Sequence, residues 1–225
     1  MLMLKNTLAI AALLTGFSLI AHAQDTPHRF EAGLELVNYS PFAKQQYSYA
    51  TSQLNDKAQW ASGAVFRYNL GRFGLRSGIS YNSGSSITQN PSSCADCPVG
   101  GANGRDLRVR LGGQYAAIAK APWLYVFSEF YYRSFLSKGN FTGGLCGCLD
   151  TEVTVKSNGI GNSTGLGAKM RVWKHFYLNP EVYYDVLRVP NTVTSNDRNS
   201  GTTQQYDTRT KVQAPAVRVN AIIAF

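Results

Sequence analysis

The residues of this sequence best equipped for covalent or metal chemistry are four cysteines, and they come as two close pairs. Cys94 and Cys97 form C-A-D-C, and Cys146 and Cys148 form C-G-C. A C-x2-C spacing suits a zinc ligand pair, but C-x-C is tighter than such sites normally use. In an oxidising compartment the same cysteines pair as disulfides instead. Acid–base or nucleophilic catalysis needs a base near a nucleophile or carboxylate. Beyond residue 23 the histidines are His28, at the start of the first strand segment, and His175, in a short turn, and both are expected to be rim or turn residues. No phosphate-binding glycine loop, metalloprotease helix motif or nucleophile elbow occurs. The sequence therefore predicts no enzyme and no cofactor. What remains is ionic chemistry, carried by arginines and carboxylates that recur at even spacings along the chain.

The compartment follows from the first residues. Lys5 precedes an apolar run from Leu8 to Ile20, and Ala21-His22-Ala23 supplies small residues at a cleavage site before Gln24. This is the pattern of a secretory signal peptide, 1–23, leaving one domain at 24–225. Export favours disulfides among Cys94, Cys97, Cys146 and Cys148. Four cysteines allow three pairings; a bridge inside Cys-Gly-Cys would close a tight ring, so links between the two pairs are expected. The four-thiolate metal site is the rival. The formal net charge is +9, of which Lys5 supplies one. The charges are scattered, with no run of five or six of one sign, so nucleic-acid binding is not expected. No apolar run of eighteen residues follows the leader, so a membrane role would have to use strands.

The elements that must position the charges are strands. A period of two appears in eight segments, 29–39, 59–70, 73–81, 106–117, 124–136, 162–172, 176–187 and 211–225. The last shows it best: Val217, Val219, Ala221, Ile223 and Phe225 alternate with Arg218 and Asn220, giving one apolar and one polar face. Within 29–39, 106–117, 124–136, 162–172 and 176–187, which each hold two or three charges, the charges share a face. The polar faces together collect Arg29, Glu31, Glu35, Arg67, Arg76, Asp106, Arg108, Arg110, Glu129, Arg133, Lys169, Arg171, Glu181, Asp185 and Arg218. Pro180 and Pro215 fall inside segments and would each remove a ladder donor, with a bulge near the strand end expected to absorb the loss.

Connections alternate in length. Those after the second, fourth and sixth segments are short, whereas 40–58, 82–105, 137–161 and 188–211 are long and rich in Asn, Ser, Thr and Gly, which is loop chemistry. Both cysteine pairs lie in these long stretches. Aromatic residues gather near segment ends: Phe30, Tyr68, Phe73, Tyr115, Trp123, Phe176 and Phe225 at one rim, Trp60, Tyr81 and Tyr132 towards the other. Amphipathic rings favour a membrane interface. Alternation alone does not say which face is inside. A soluble secreted barrel carrying an apolar ligand would turn its apolar face inward; a membrane barrel does the reverse.

The leader ending AHA-Q, the eight alternating segments and the final AIIAF resemble the small outer-membrane β-barrel proteins of Gram-negative bacteria, the OmpA/OmpX-type and porin-family barrels. The likeness is one of pattern over the whole chain after the leader. It implies an all-β fold, an eight-stranded antiparallel up-and-down transmembrane β-barrel with short periplasmic turns and long outer loops. It implies a cell outer membrane location, contact with lipid and lipopolysaccharide, and recognition of the Phe225 position by the barrel-assembly machinery. The peptidoglycan-binding domain that follows some such barrels is not expected after Phe225. Some small barrels are lipid A acyl-modifying enzymes or omptin proteases, but the rim positions expected for His28 and His175 argue against that role.

The expected function is structural or surface interaction with an unknown extracellular partner, and the alternative is a narrow channel for small solutes. Glu31, Glu35, Arg67, Arg76, Arg108, Arg110, Glu129, Arg133, Lys169, Arg171, Glu181, Asp185 and Arg218 are expected as an interior charge network, plugging the lumen or lining a selective anion path. With two disulfides, the intact protein should weigh less than its sequence mass by the four thiol hydrogens. Mass spectrometry without reductant checks this; an unshifted mass would exclude two disulfides.

Overall fold

A computed structural model describes residues 29–39, 45–46, 51–52, 59–88, 99–143 and 149–225. The expected leader at 1–23, His28 and the cysteines Cys94, Cys97, Cys146 and Cys148 lie outside the described residues. Among these residues the structure is all β. Strands are β1 Phe30–Tyr39, β2 Gln59–Leu70, β3 Phe73–Thr88, β4 Val99–Tyr115, β5 Leu124–Gly143, β6 Leu149–Ala168, β7 Phe176–Asp197 and β8 Thr203–Ala224. The pair Met170–Arg171 continues β6 along β7, and Gln45–Gln46 makes a short separate ladder with Thr51–Ser52.

Each strand is antiparallel to its sequence neighbour, and β8 returns to β1 through Glu31↔Ala224 to Tyr39↔Val217. The sheet is therefore a closed ring of eight strands. Closure is what a membrane demands, since lipid offers no partner to an unpaired backbone group. Phe225 contributes to the seal, its amide donating to the Phe30 carbonyl at 2.9 Å. The short connections 71–72, 116–123 and 172–175 share one rim with the start of β1 and the end of β8, which is the periplasmic rim of such a barrel. Arg72 ties two of these turns together, donating to the Ala116 and Ala117 carbonyls at 3.2 and 2.8 Å.

Three sequence expectations are corrected. First, in the three stretches expected as loops at 82–105, 137–161 and 188–211, the described residues 82–88, 99–105, 137–143, 149–161, 188–197 and 203–211 are strand. Asn82↔Asp106 runs out to Thr88↔Gly100, and Asn196↔Thr203 lies far past Leu187↔Val212. The polar composition misleads because a strand beyond the membrane can be polar outside and still complete its ladder. Second, the prolines lie in no bulge. The β7–β8 register passes Pro180 and Pro215 unbroken. The β6–β7 ladder instead loses its continuity at Lys169 and again opposite Pro190, as expected when a donor is missing. Third, the bulge is in β1 and β2: Glu35 pairs Gly63 while Val37 pairs Trp60, with Ala61 left-handed at φ 50°. It shifts the inward phase, so that Asn38 and Ser62 both reach Glu35, at 2.6 and 2.9 Å.

The exterior is apolar: Phe30, Leu34, Phe66, Phe73, Leu75, Ile79, Leu111, Phe130, Leu166, Val182 and Ile223 are all exposed. Ring pairs Phe30–Tyr68 and Phe73–Tyr115, with centroids 4.9 and 4.6 Å apart, mark the periplasmic rim, and Trp173 joins them in a turn. Polarity inverts along the tall strands. In β7, Asp185 is buried and Val186 exposed; two residues later Leu187 is buried and Arg188 exposed. Above this level Phe141, Val153, Val155 and Val193 pack together inside. At the outer end, Arg198 reaches Glu152 at 3.3 Å. The Ser200 hydroxyl and Asn199 amide hold the Asp197 carboxyl below its ordinary value.

Inner aromatics of β5 are admitted by glycines on β6. Tyr131 faces Gly161 and Tyr125 faces Gly167, and a Cβ on either glycine would overlap the facing ring. At Gly165 a Cβ would run into the Val182 carbonyl and stand 2.6 Å from the Tyr183 Cα, both backbone of β7. Gly165→Val is therefore expected to prevent barrel closure. On an unboiled gel the compact, heat-modifiable band should be lost; a band like that of the wild type would contradict this packing.

Candidate functional site: the ionic interior

Every strand but β6 sends ionic side chains into the lumen. The period of two turns alternate residues inward, and the apolar faces are already committed to lipid. Glu181 on β7 is the hub. It accepts from Arg67 Nη2 at 2.7 Å, from Arg76 Nη2 at 2.9 Å, from Tyr125 Oη at 2.6 Å, and from Arg218 Nε. Glu129 on β5 accepts from Arg76 Nε at 2.5 Å and from Arg218 Nη2 at 2.7 Å. Arg76 and Arg218 thus each bridge the same two carboxylates, closing a ring of alternating charge across the lumen. Phe127 lies against both guanidinium groups, 4.1 Å from Arg76 and 5.1 Å from Arg218.

The network extends both ways. Towards the periplasm Glu31 meets Lys169, Asn69 at 2.7 Å and Arg67 at 3.8 Å. Towards the outside Glu35 pairs Arg110 at 2.6 Å. Asp106 takes Arg133 at 2.9 Å and Arg108 at 3.2 Å. Arg108 also reaches Asp185 at 3.3 Å, and Ser163 donates to Asp185 at 3.0 Å. Stacked arginines against Tyr125, Tyr131, Phe135 and Tyr183 fill the space between. Burial of so many ions is tolerable only because nearly every charge faces an opposite one at hydrogen-bond distance.

Of the residues the sequence pointed to, the structure brings Glu31, Glu35, Arg67, Arg76, Arg108, Arg110, Glu129, Arg133, Lys169, Glu181, Asp185 and Arg218 together, along with Asp106. It leaves Arg171 and Arg29 exposed at the periplasmic rim. Both have inward parity, but the strand ends there and water reaches the side chain. The inward aromatics and the hydroxyl and amide partners Ser62, Asn38 and Ser163 were missed by the charge pattern. Tyr125, Phe127, Tyr131 and Phe135 share the parity of Glu129 and Arg133, a signal hidden because β5 is aromatic on both faces. At the periplasmic mouth a cavity of about 290 Å³ opens between Asn69, Arg72, Gln114, Tyr125 and Lys169, with Tyr125, which donates to Glu181, on its wall.

Glu181→Gln would leave Arg67, Arg76 and Arg218 around a neutral group. Removing one partner of a buried ionic cluster costs about 3–5 kcal/mol. Urea titration of the refolded barrel should show a loss of this order, whereas Arg171→Gln at the exposed rim should change stability by under about 0.5 kcal/mol. Equal stability of Glu181→Gln and wild type would remove the hub from the account.

The outer membrane protein β-barrel domain matches residues 9–210. No curated protein matches the chain. Among solved structures, OprG of Pseudomonas aeruginosa is similar at 12% identity and a TM-score of 0.52, covering 89% of this chain and 97% of that one. Outer membrane protein W of E. coli is similar at 14% identity and a TM-score of 0.47, covering 90% and 100%. A major outer membrane protein of Thermus thermophilus is similar at 15% identity and a TM-score of 0.47, covering 89% and 100%. The family match overturns the soluble, ligand-carrying barrel, as the outward apolar band already required. The chain belongs to the outer membrane protein β-barrel domain family and resides in the cell outer membrane.

Proposed function

We propose that this barrel is a non-enzymatic, non-conducting protein with a structural and surface-interaction role. The observation that supports this is the Glu129–Arg76–Glu181–Arg218 ring, whose side chains are no more than 2% exposed. An ion entering from the periplasmic mouth would have to separate these pairs, and an eight-stranded lumen is barely wide enough for its own side chains. Surface interaction falls to the outer ends of β3 to β8, which carry the wall beyond the membrane band, and the partner is extracellular. Phe225, exposed beside Phe30 at the periplasmic rim, fits the position read by the barrel-assembly machinery. The second reading, a narrow path for small solutes, draws on the cationic mouth at Arg72 and Lys169.

Planar-bilayer recording on refolded protein separates the two. The wild type should give no reproducible conductance steps at moderate salt. Steady unitary steps from the wild type would favour the path, and their loss on adding charge at Gln114 would place it through the mouth.

A further inference from the structure

The outward face of β7 and β8 carries a net cationic patch where the apolar band ends. Arg188 and Lys211 are direct cross-strand partners, and Arg209 lies one outward-facing step further along β8, opposite Pro190. All three are exposed. Directly opposed side chains in an antiparallel pair have Cβ atoms about 4.5–5.5 Å apart and diagonal ones about 7–8 Å, and like charges there repel. Asp207, the next outward residue on that face of β8, accepts from the Thr192 hydroxyl at 3.1 Å and offsets one charge at most.

The depth of this patch is fixed by the polarity inversion. From Phe176 to Val186 the outward residues of β7 include Leu178, Val182, Tyr184 and Val186. At about 3.3 Å per residue and the usual tilt this covers the ~25 Å apolar band of such barrels. Arg188 is the first outward residue beyond it. Lys156, Lys138 and Arg105 are likewise outward and exposed on β6, β5 and β4. Arg188, Arg209 and Lys211 therefore stand at the level of outer-leaflet headgroups. A phosphate there would take a forked pair of hydrogen bonds from a guanidinium and a point charge from an ammonium, while cancelling the repulsion between them.

We propose that Arg188, Arg209 and Lys211 form a docking site for the phosphates of an outer-leaflet glycolipid, the lipid A part of lipopolysaccharide. The site is on the outer wall and does not depend on whether the lumen conducts. The test uses the full refolded barrel in neutral detergent, with bisphosphorylated lipid A, dephosphorylated lipid A and inorganic phosphate as probes. The combined variant R188Q/R209Q/K211Q should bind bisphosphorylated lipid A roughly a hundredfold more weakly at low salt, about fivefold for each cation. Arg171→Gln should bind as the wild type does, and dephosphorylated lipid A should bind both weakly. In lipid-free detergent the combined variant should melt no lower than the wild type, because its loss relieves repulsion; lipid A should raise the melting temperature of the wild type alone. Binding by the combined variant within twofold of wild type would overturn the site. So would equal affinity for the dephosphorylated lipid, or a lower melting temperature without lipid. The same protection from millimolar inorganic phosphate would also overturn it, by assigning the patch to a free anion.

Discussion

A charge that cannot reach water must find its opposite, and most of this structure depends on that constraint. Lipid forces the sheet to close, closure sends one face of every strand into a narrow lumen, and the other face must be apolar. The ionic residues are left with one another. Glu181 draws Arg67, Arg76 and Arg218 from β2, β3 and β8 onto a carboxylate of β7, so the hub joins strands far apart in sequence. Backbone ladders link each strand only to its neighbours. The interior ion pairs link it across the diameter, and so oppose flattening or partial opening of the ring.

Packing and ion pairing are one device here. Arg76 and Arg218, which both bridge Glu129 and Glu181, each lie against the ring of Phe127 on β5. The inner rings in turn need floor space. β6 supplies it by presenting Gly161, Gly165 and Gly167 to the lumen where other strands present ions. This explains why β6 alone carries no inward charge along its membrane-crossing length, with Lys169 arriving only where the strand is interrupted.

The strands and the ionic face were legible because side-chain parity survives any error in where a strand ends. Spacing alone put Arg108, Glu129 and Glu181 on the polar faces of their strands, and the leader, the alternating connection lengths and the terminal Phe225 turned those faces inward. Three things were not legible. Arg171 and Arg29 share that parity but sit where the wall stops, and parity carries no depth. The bulge that turns Asn38 and Ser62 towards Glu35 is built on Ala61, whose left-handed backbone no glycine announces. The outer strand extensions were hidden by their Gly, Asn and Ser content, although Thr151, Val153 and Val155 alternate with Glu152, Thr154 and Lys156 as plainly as any membrane segment.

That last failure has a physical reason that also locates the membrane. The period of two never changes, but the solvent around the wall does. Below Val186 the medium outside is hydrocarbon, so apolar residues face out and ions face in. Above Arg188 it is water, and the rule of a soluble barrel returns: Leu187, Val189 and Val193 turn in while Arg188, Lys211 and Lys156 turn out. Four consecutive residues, Asp185-Val186-Leu187-Arg188, contain the whole reversal. A sequence scan for one polarity per face reads the upper half as loop, because each face changes sign midway. The headgroup level is where the two regimes meet, and Arg188, Arg209 and Lys211 stand there with Asp207 offsetting one of their charges at most, so the remaining charge suits the phosphates of the lipid itself.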